Sequence, residues 1–175
     1  KMAEKELIKL QKKVNRATII TCISNFVVQE IKQNLNTKGK DVKMIYNGVQ
    51  DLTRKQGEIP DFVNERPFIF ALGEIVEKKN FAVLLGLMQL LPQYDLYICG
   101  IKDRQYAKEI LERIEQMRLS NTFLPGIITH ENKIWLYRNC IAFTHPSKLE
   151  GFGLPVIEAM QFGKAVFIAN KTSLP

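Results

Sequence analysis

No run of about 18 apolar residues occurs in the 175-residue sequence, so no membrane-spanning helix is expected. The opening Lys1-Met2-Ala3-Glu4-Lys5-Glu6 has no apolar stretch, which predicts that no signal peptide is present. Cysteine is scarce. Cys22, Cys99 and Cys140 are odd in number, widely spaced and set in or beside apolar runs, the pattern of buried reduced thiols in a cytosolic protein. Their spacing is not that of metal ligands, and His130 and His145 stand alone, so no metal is expected. The absence of G-x-G-x-x-G after the first buried strand argues against a dinucleotide dehydrogenase, and the absence of G-x-x-x-x-G-K-[ST] against a P-loop. No RNP segment, helix-turn-helix or aromatic-interleaved basic stripe is present, which ranks nucleic acid last among partners.

The composition that remains, 46% hydrophobic and 25% charged, is that of an ordinary globular protein. The formal net charge of +7 comes mostly from scattered lysines. It is read first as a solvated surface, and second as attraction to a phosphorylated substrate or an anionic membrane face.

Apolar periodicity then orders the chain. An amphipathic helix is expected over residues 1–15, a β-branched strand over 17–23, a helix led by Ser24 over 25–35, and a strand over 42–46 ending at Asn47-Gly48. Residues 51–65 are polar, hold Gly57 and Pro60 and show no period, the character of a linker. Strands are expected at 67–72, 96–100, 122–124, 141–144 and 165–169. Helices lie between them, marked by Phe81 to Leu91, Ala107 to Met117, and Ile134 to Tyr137 behind a Thr129 cap. Pro125-Gly126 reads as the turn closing the third of these strands, and Trp135 and Tyr137 read as packing residues. Five alternations of strand and helix imply βαβ units and an α/β fold with an open parallel, Rossmann-like sheet. Ligands on such a sheet bind beyond the carboxyl ends of the strands, where Gly73, Gly100, Gly126 and the loop at Glu150 fall.

The densest stretch is Pro146 to Met160. A short apolar strand leads into a loop with Gly151 and Gly153, which let backbone approach a ligand closely, and Pro155 suits the first helical position. Val156, Ile157, Ala159 and Met160 form the expected inward face, and Gly163 the stop. A helix that starts on such a loop offers free N–H groups and a positive dipole end, a ready site for phosphate. Glu150 before the helix and Glu158 within it are bidentate acceptors suited to the vicinal hydroxyls of a sugar or ribose.

Glu150-Gly-Phe-Gly-Leu-Pro-Val-Ile-Glu158 resembles the E-x7-E signature of retaining glycosyltransferases, group 1 (family 4), of the GT-B fold. The resemblance covers essentially the whole chain. It implies that residues 1–50 are a βα remnant of the N-terminal domain, 51–65 the interdomain linker, and 66–175 the nucleotide-sugar-binding domain, truncated at its C-terminus. It also implies that Glu150 acts on the donor sugar, that backbone of Gly151, Phe152, Gly153 and Leu154 holds sugar and diphosphate, and that Glu158 binds ribose. Gly73 to Asn80 is similar to the family's G-R-x-x-x-x-K-[GN] segment, which puts Lys79 on the diphosphate and makes Gly73 and Lys78 further candidate contacts. Ile128 belongs to the loop that meets the base in the family.

One position departs from that pattern. Glu74 replaces the family's Arg, and a carboxylate there would repel a diphosphate. Either it points away and Lys78 or Lys79 takes more of the load, or the donor is held differently, or activity is weakened. His145 is read as structural, close enough to the site to merit one mutant.

The implied substrates are a nucleotide-diphosphate sugar, UDP- or GDP-linked, with no metal or other cofactor, and a glycan or lipid-linked acceptor. The implied chemistry is transfer of a hexosyl group with retention. A cytoplasmic location follows, with peripheral contact at the inner membrane face as an allowance. As a fragment the chain is expected to bind nucleotide without transferring sugar. The alternatives are a non-catalytic nucleotide-sugar-binding module and a GT-B epimerase, the latter opposed by the E-x7-E spacing.

Overall fold

A computed structural model describes residues 4–174. The first three residues of the expected N-terminal helix, Lys1 to Ala3, lie outside the described residues. Two parallel sheets form. The smaller pairs β1 (Ile19–Cys22) with β2 (Asp41–Met44), joined through α2 (Asn25–Asn34) and preceded by α1 (Glu4–Arg16). Ser24 caps α2 as its residue type predicts, its hydroxyl accepting from the Val27 N–H at 3.3 Å. This layer packs thinly. No residue of α2 is fully buried, and Ile19, Met44, Ile45 and Tyr46 are exposed. The second strand ends at Met44, two residues short of the expected Tyr46.

The larger sheet contains β3 (Phe68–Leu72), β4 (Asp95–Cys99), β5 (Thr122–Gly126), β6 (Ala142–His145) and β7 (Ala165–Ile168). Its order is β5-β4-β3-β6-β7, all parallel. The helices between are α3 (Val83–Leu90), α4 (Gln105–Gln116), α5 (His130–Asn139) and α6 (Leu154–Gln161). Both faces of the central strands are buried, which is why their sequences read as continuous apolar runs. Alternation along β3 sends Ile69 and Ala71 into one core with α3 and α4, and Phe68 and Phe70 into the other with α5 and α6. The second core is aromatic: Phe70, Tyr137 and Phe143 meet with ring centroids 5.1 to 5.6 Å apart. Trp135 stacks on Phe68, as a packing residue.

Three expectations need correcting. Pro125 does not turn the chain but lies inside β5, an edge strand on which its missing N–H costs no ladder bond. Pro155 occupies the second helical position of α6, because Gly153 is the N-cap and Leu154 comes first. Met160 is exposed rather than inward, since Val156 and Ala159, three apart, already define the buried stripe.

Residues 51–65 are irregular yet held. Asn132 Nδ2 donates to the Glu58 carbonyl at 3.0 Å, and Arg138 Nη2 donates to the carbonyls of Thr53 and Lys55 at 3.1 and 2.8 Å. All three cysteines are buried and unpaired, with burial pushing the Cys99 thiol up to about 12 and the Cys140 thiol to about 11. Among the described residues no helix is long and apolar enough to cross a membrane.

Candidate functional site

The strand order reverses between β3 and β6, so the loops after these strands diverge over a crevice at their carboxyl ends. From β3 come Gly73, Glu74 and a short 3-10 turn over Glu77–Lys79. From β6 come Pro146 to Gly153 and then α6. The two loops are tied together, since the Lys148 N–H donates to the Lys78 carbonyl at 2.8 Å and the Ser147 hydroxyl approaches the same oxygen at 3.2 Å. Asn80, left-handed at φ 57°, turns the first loop back toward α3 and so aims Lys79 into the crevice.

The structure brings Lys79, His145 and Glu150 together. Lys79 Nζ and His145 Nε2 both meet Glu150 Oε1, the histidine at 2.7 Å and the lysine in a short ion pair. The Glu150 main chain is fixed as well: its N–H donates to Thr172 Oγ1 at 3.0 Å, and Ser173 Oγ donates to its carbonyl at 2.9 Å. Burial pushes the Glu150 carboxyl up, but hydrogen bonds from His145 and Lys79, the lysine charge and the nearby Ser147 hydroxyl outweigh it. The net result lowers the carboxyl to about 2.

That shift has a sign. A carboxylate lowered in the folded state stabilises the fold fully above its ordinary value of 4.5 and loses that contribution as pH falls towards about 2. The stability gap between the protein and its Glu150→Gln variant should therefore be widest above pH ~4.5, at about 2 kcal/mol once solvent screening of the partly exposed carboxylate is allowed for. It should close as the pH approaches ~2. Urea denaturation at a series of pH values measures it, and a gap independent of pH would contradict the pairing.

Glu158 is held from α5. Lys133 Nζ meets its Oε1 at 2.9 Å and the Tyr137 hydroxyl donates to Oε2 at 2.9 Å. Tyr137 is fully buried, and burial first, then the Glu158 charge, raises its hydroxyl well above the ordinary range. Between these carboxylates runs the loop itself. No hydrogen bond from the N–H groups of Gly151, Phe152, Gly153 or Leu154 is made to any described residue. Gly153 is left-handed at φ 88° and Gly151 has open space but for Ile23. The arrangement offers unpaired donors and a helix dipole to an anion, flanked by two fixed acceptors for hydroxyl groups.

Beside it lies a cleft of about 480 Å³ lined by Leu72, Gly73, Gly100, Ile101, Ile128 and Lys133, among others. The remaining expected residues are placed less centrally. The Lys78 side chain is exposed and makes no hydrogen bond or ion pair among the described residues, whereas its carbonyl ties the loops. Phe152 packs against Tyr46 at 5.9 Å and Leu154 is exposed. Glu74 is paired with Arg104 at 3.3 Å, so its charge is partly answered.

Four residues escaped the sequence reading as parts of the site: Arg104, Lys133, Tyr137 and His145. Lys133 and Tyr137 carried a detectable signal, because four residues apart they share one helix face. His145 carried a weaker one, as the last residue of the strand that enters the loop. Arg104 carried none, since its partner is 30 residues away.

A family model described as Glycosyl transferases group 1 matches residues 53–175. The serotype-specific mannosyltransferase WbdA of Escherichia coli is 31% identical over 179 aligned residues, which cover 91% of this chain and 22% of that protein. The O-antigen chain mannosyltransferase RfbU of Salmonella typhimurium is 28% identical over 92% of this chain and 44% of its own length. The chain thus spans less than half of either relative. Among solved structures, Anabaena Alr3699/HepE in complex with UDP and glucose superposes with a TM-score of 0.85 at 22% identity, over 98% of this chain and 50% of that one. Sucrose-phosphate synthase from Thermosynechococcus elongatus superposes at 0.82 and 22% identity, over 98% and 45%. The fold is therefore the Rossmann-like α/β architecture found in GT-B glycosyltransferase structures, and the chain belongs to the glycosyl transferases group 1 family.

Proposed function

We propose that this chain is the donor-binding part of an enzyme that moves a hexosyl group from a nucleotide-diphosphate sugar to a glycan or lipid-linked acceptor, with retention at the anomeric carbon. WbdA and RfbU are mannosyltransferases, which favours mannose as the sugar. The observation that carries the reading is the run of N–H groups from Gly151 to Leu154, unpaired among the described residues, between two anchored carboxylates. A diphosphate on those N–H groups would face the α6 dipole and Lys79, which together stabilise leaving-group charge without a metal. Glu150 would then orient the sugar and Glu158 would take the ribose hydroxyls. Gly73 and Ile128, lining the adjoining cleft, would meet the rest of the nucleotide.

Residues 66–175 are the binding domain in this proposal, 51–65 the linker, and 1–50 part of a preceding domain that carries the acceptor side. A cytoplasmic location with peripheral contact at the inner membrane face accords with the +7 charge. Calorimetric titration of UDP, GDP, ADP and their sugars into the protein tests the proposal. One nucleotide series should bind saturably, and failure of all of them to bind would overturn it.

A further inference from the structure

We propose that His145 is the positioning residue that holds Glu150 in its sugar-facing orientation when the donor diphosphate engages Lys79. The inference rests on the donor-binding reading above and names a role the sequence did not assign. Three observations lead to it. First, both cationic or potentially cationic partners of Glu150 converge on one oxygen, Oε1. The Ser147 hydroxyl lies near the carboxylate and helps to lower it, but its well-formed hydrogen bonds go to the Lys78 and Leu149 carbonyls, and among the described residues none is directed at Oε2. The carboxylate is anchored through one atom and presents the other.

Second, the two anchors differ in freedom. Lys79 sits on a loop, and its alkyl stem lies over Gly73, whose Cβ position would be 3.6 Å from Cε. A lysine chain can shift its ammonium by a few ångströms by rotamer change alone. His145 cannot follow such a movement. It ends a strand whose residues are all buried, is 1% exposed itself, and lies flat beside Phe143 at a centroid distance of 6.1 Å.

Third, the site asks two things of Lys79. It pairs with Glu150 in the structure, and the same ammonium is the candidate partner of the diphosphate. Once it is drawn to the phosphates, Glu150 would be free to rotate unless something else held Oε1. His145 Nε2 is already there at 2.7 Å. Because the carboxylate is ionised and can only accept, Nε2 must carry the proton and donate. The other ring nitrogen, Nδ1, is buried without a partner among the described residues, so none of them offers a second hydrogen bond that competes to reorient the ring.

Two variants separate this role from simple packing. His145→Gln keeps an N–H donor near the place of Nε2. His145→Phe keeps the ring volume and removes the donor. The quantity read is the ratio of the dissociation constant of the bare nucleoside diphosphate to that of its sugar derivative, measured by calorimetry, with thermal melting alongside. The ratio should fall about tenfold in His145→Phe, the loss of roughly one charge-assisted hydrogen bond's effect, while binding of the bare diphosphate stays within twofold. His145→Gln should restore most of the ratio. Should the Phe variant not fold, His145→Asn, whose amide falls short of the Nε2 position, takes its place with the same expected loss. An unchanged ratio in a folded variant, or an equal loss for diphosphate and sugar derivative, overturns the role of His145 and leaves the donor-binding reading intact. Absence of any nucleotide binding by the unaltered protein overturns both.

Discussion

Replacing Gly100 with alanine is expected to destabilise the protein by about 4 kcal/mol, the largest expected effect among the glycine-to-alanine changes in this fold. Gly100 follows β4 at the crevice, with φ +142°, a backbone conformation that costs an L-residue about 1–3 kcal/mol. Space is the greater obstacle. A Cβ built there would stand 1.9 Å from the Gly73 carbonyl oxygen and 2.6 Å from its carbon. That oxygen belongs to main chain and cannot rotate away. The Gly73 N–H donates to the Cys99 carbonyl at 3.0 Å, and the Gly100 N–H donates to the Gly126 carbonyl at 2.7 Å. Relieving the clash would therefore separate the exits of three neighbouring strands. For a chain of this length the loss corresponds to a fall in Tm of roughly 10 °C. Gly39→Ala is the control. It too has a positive φ, +72°, but no described residue has an atom within 4 Å of its Cβ position, so strain alone remains, about 1 kcal/mol. Equal losses at the two positions would show that the close approach at the crevice is not rigid.

Glu158→Ala should weaken binding of the cognate nucleotide about a hundredfold, under the donor-site proposal. The estimate comes from two charge-assisted hydrogen bonds to vicinal hydroxyls, each about 1.5 kcal/mol or a little less after competition with water. An opposing effect exists. Without Glu158 the Lys133 ammonium is unpaired and adds net positive charge near an anionic ligand. At ordinary ionic strength and several ångströms of partly solvated distance that gain is below about 1 kcal/mol, so the loss dominates. The substitution leaves the core intact, because the buried Tyr137 hydroxyl also reaches the Pro155 carbonyl at 3.2 Å and retains a partner. Isothermal titration with denaturation alongside separates the two effects. A dissociation constant within twofold of the unaltered protein's would remove Glu158 from the site.

The large sheet was readable because buried parallel strands leave long apolar runs. Phe68 to Leu72 and Leu96 to Cys99 stand out among charged neighbours, and the helices between them repeat their apolar residues at three and four positions. Caps were readable for the same local reason. Ser24 and Thr129 accept from the N–H three residues on, at 3.3 and 3.0 Å, a bond made within a single turn. Where a neighbour decides the outcome, the sequence misled or was silent. Pro125 has the chemistry of a turn, and only the edge position of β5 lets it continue a strand. Met160 has the chemistry of a core residue, and only the direction of the α6 stripe leaves it outside. Tyr137 was read as packing, and it packs, but its hydroxyl also fixes Glu158 from a helix 21 residues earlier.

The sequence by itself determined the alternation of strand and helix, the open parallel sheet, and the pair of carboxylates around a glycine loop, since each follows from local periodicity or spacing. Only the tertiary structure decided how that loop is armed. Lys79 reaches Glu150 across 71 residues and Lys133 reaches Glu158 across 25, distances over which no periodicity carries information. It also settled the company of Glu74, whose charge is met by Arg104 from the next βα loop. The reversal of strand order between β3 and β6 explains the difference. It folds two loops remote in sequence over one crevice, and the contacts made there depend on sheet order, which no local stretch of residues encodes.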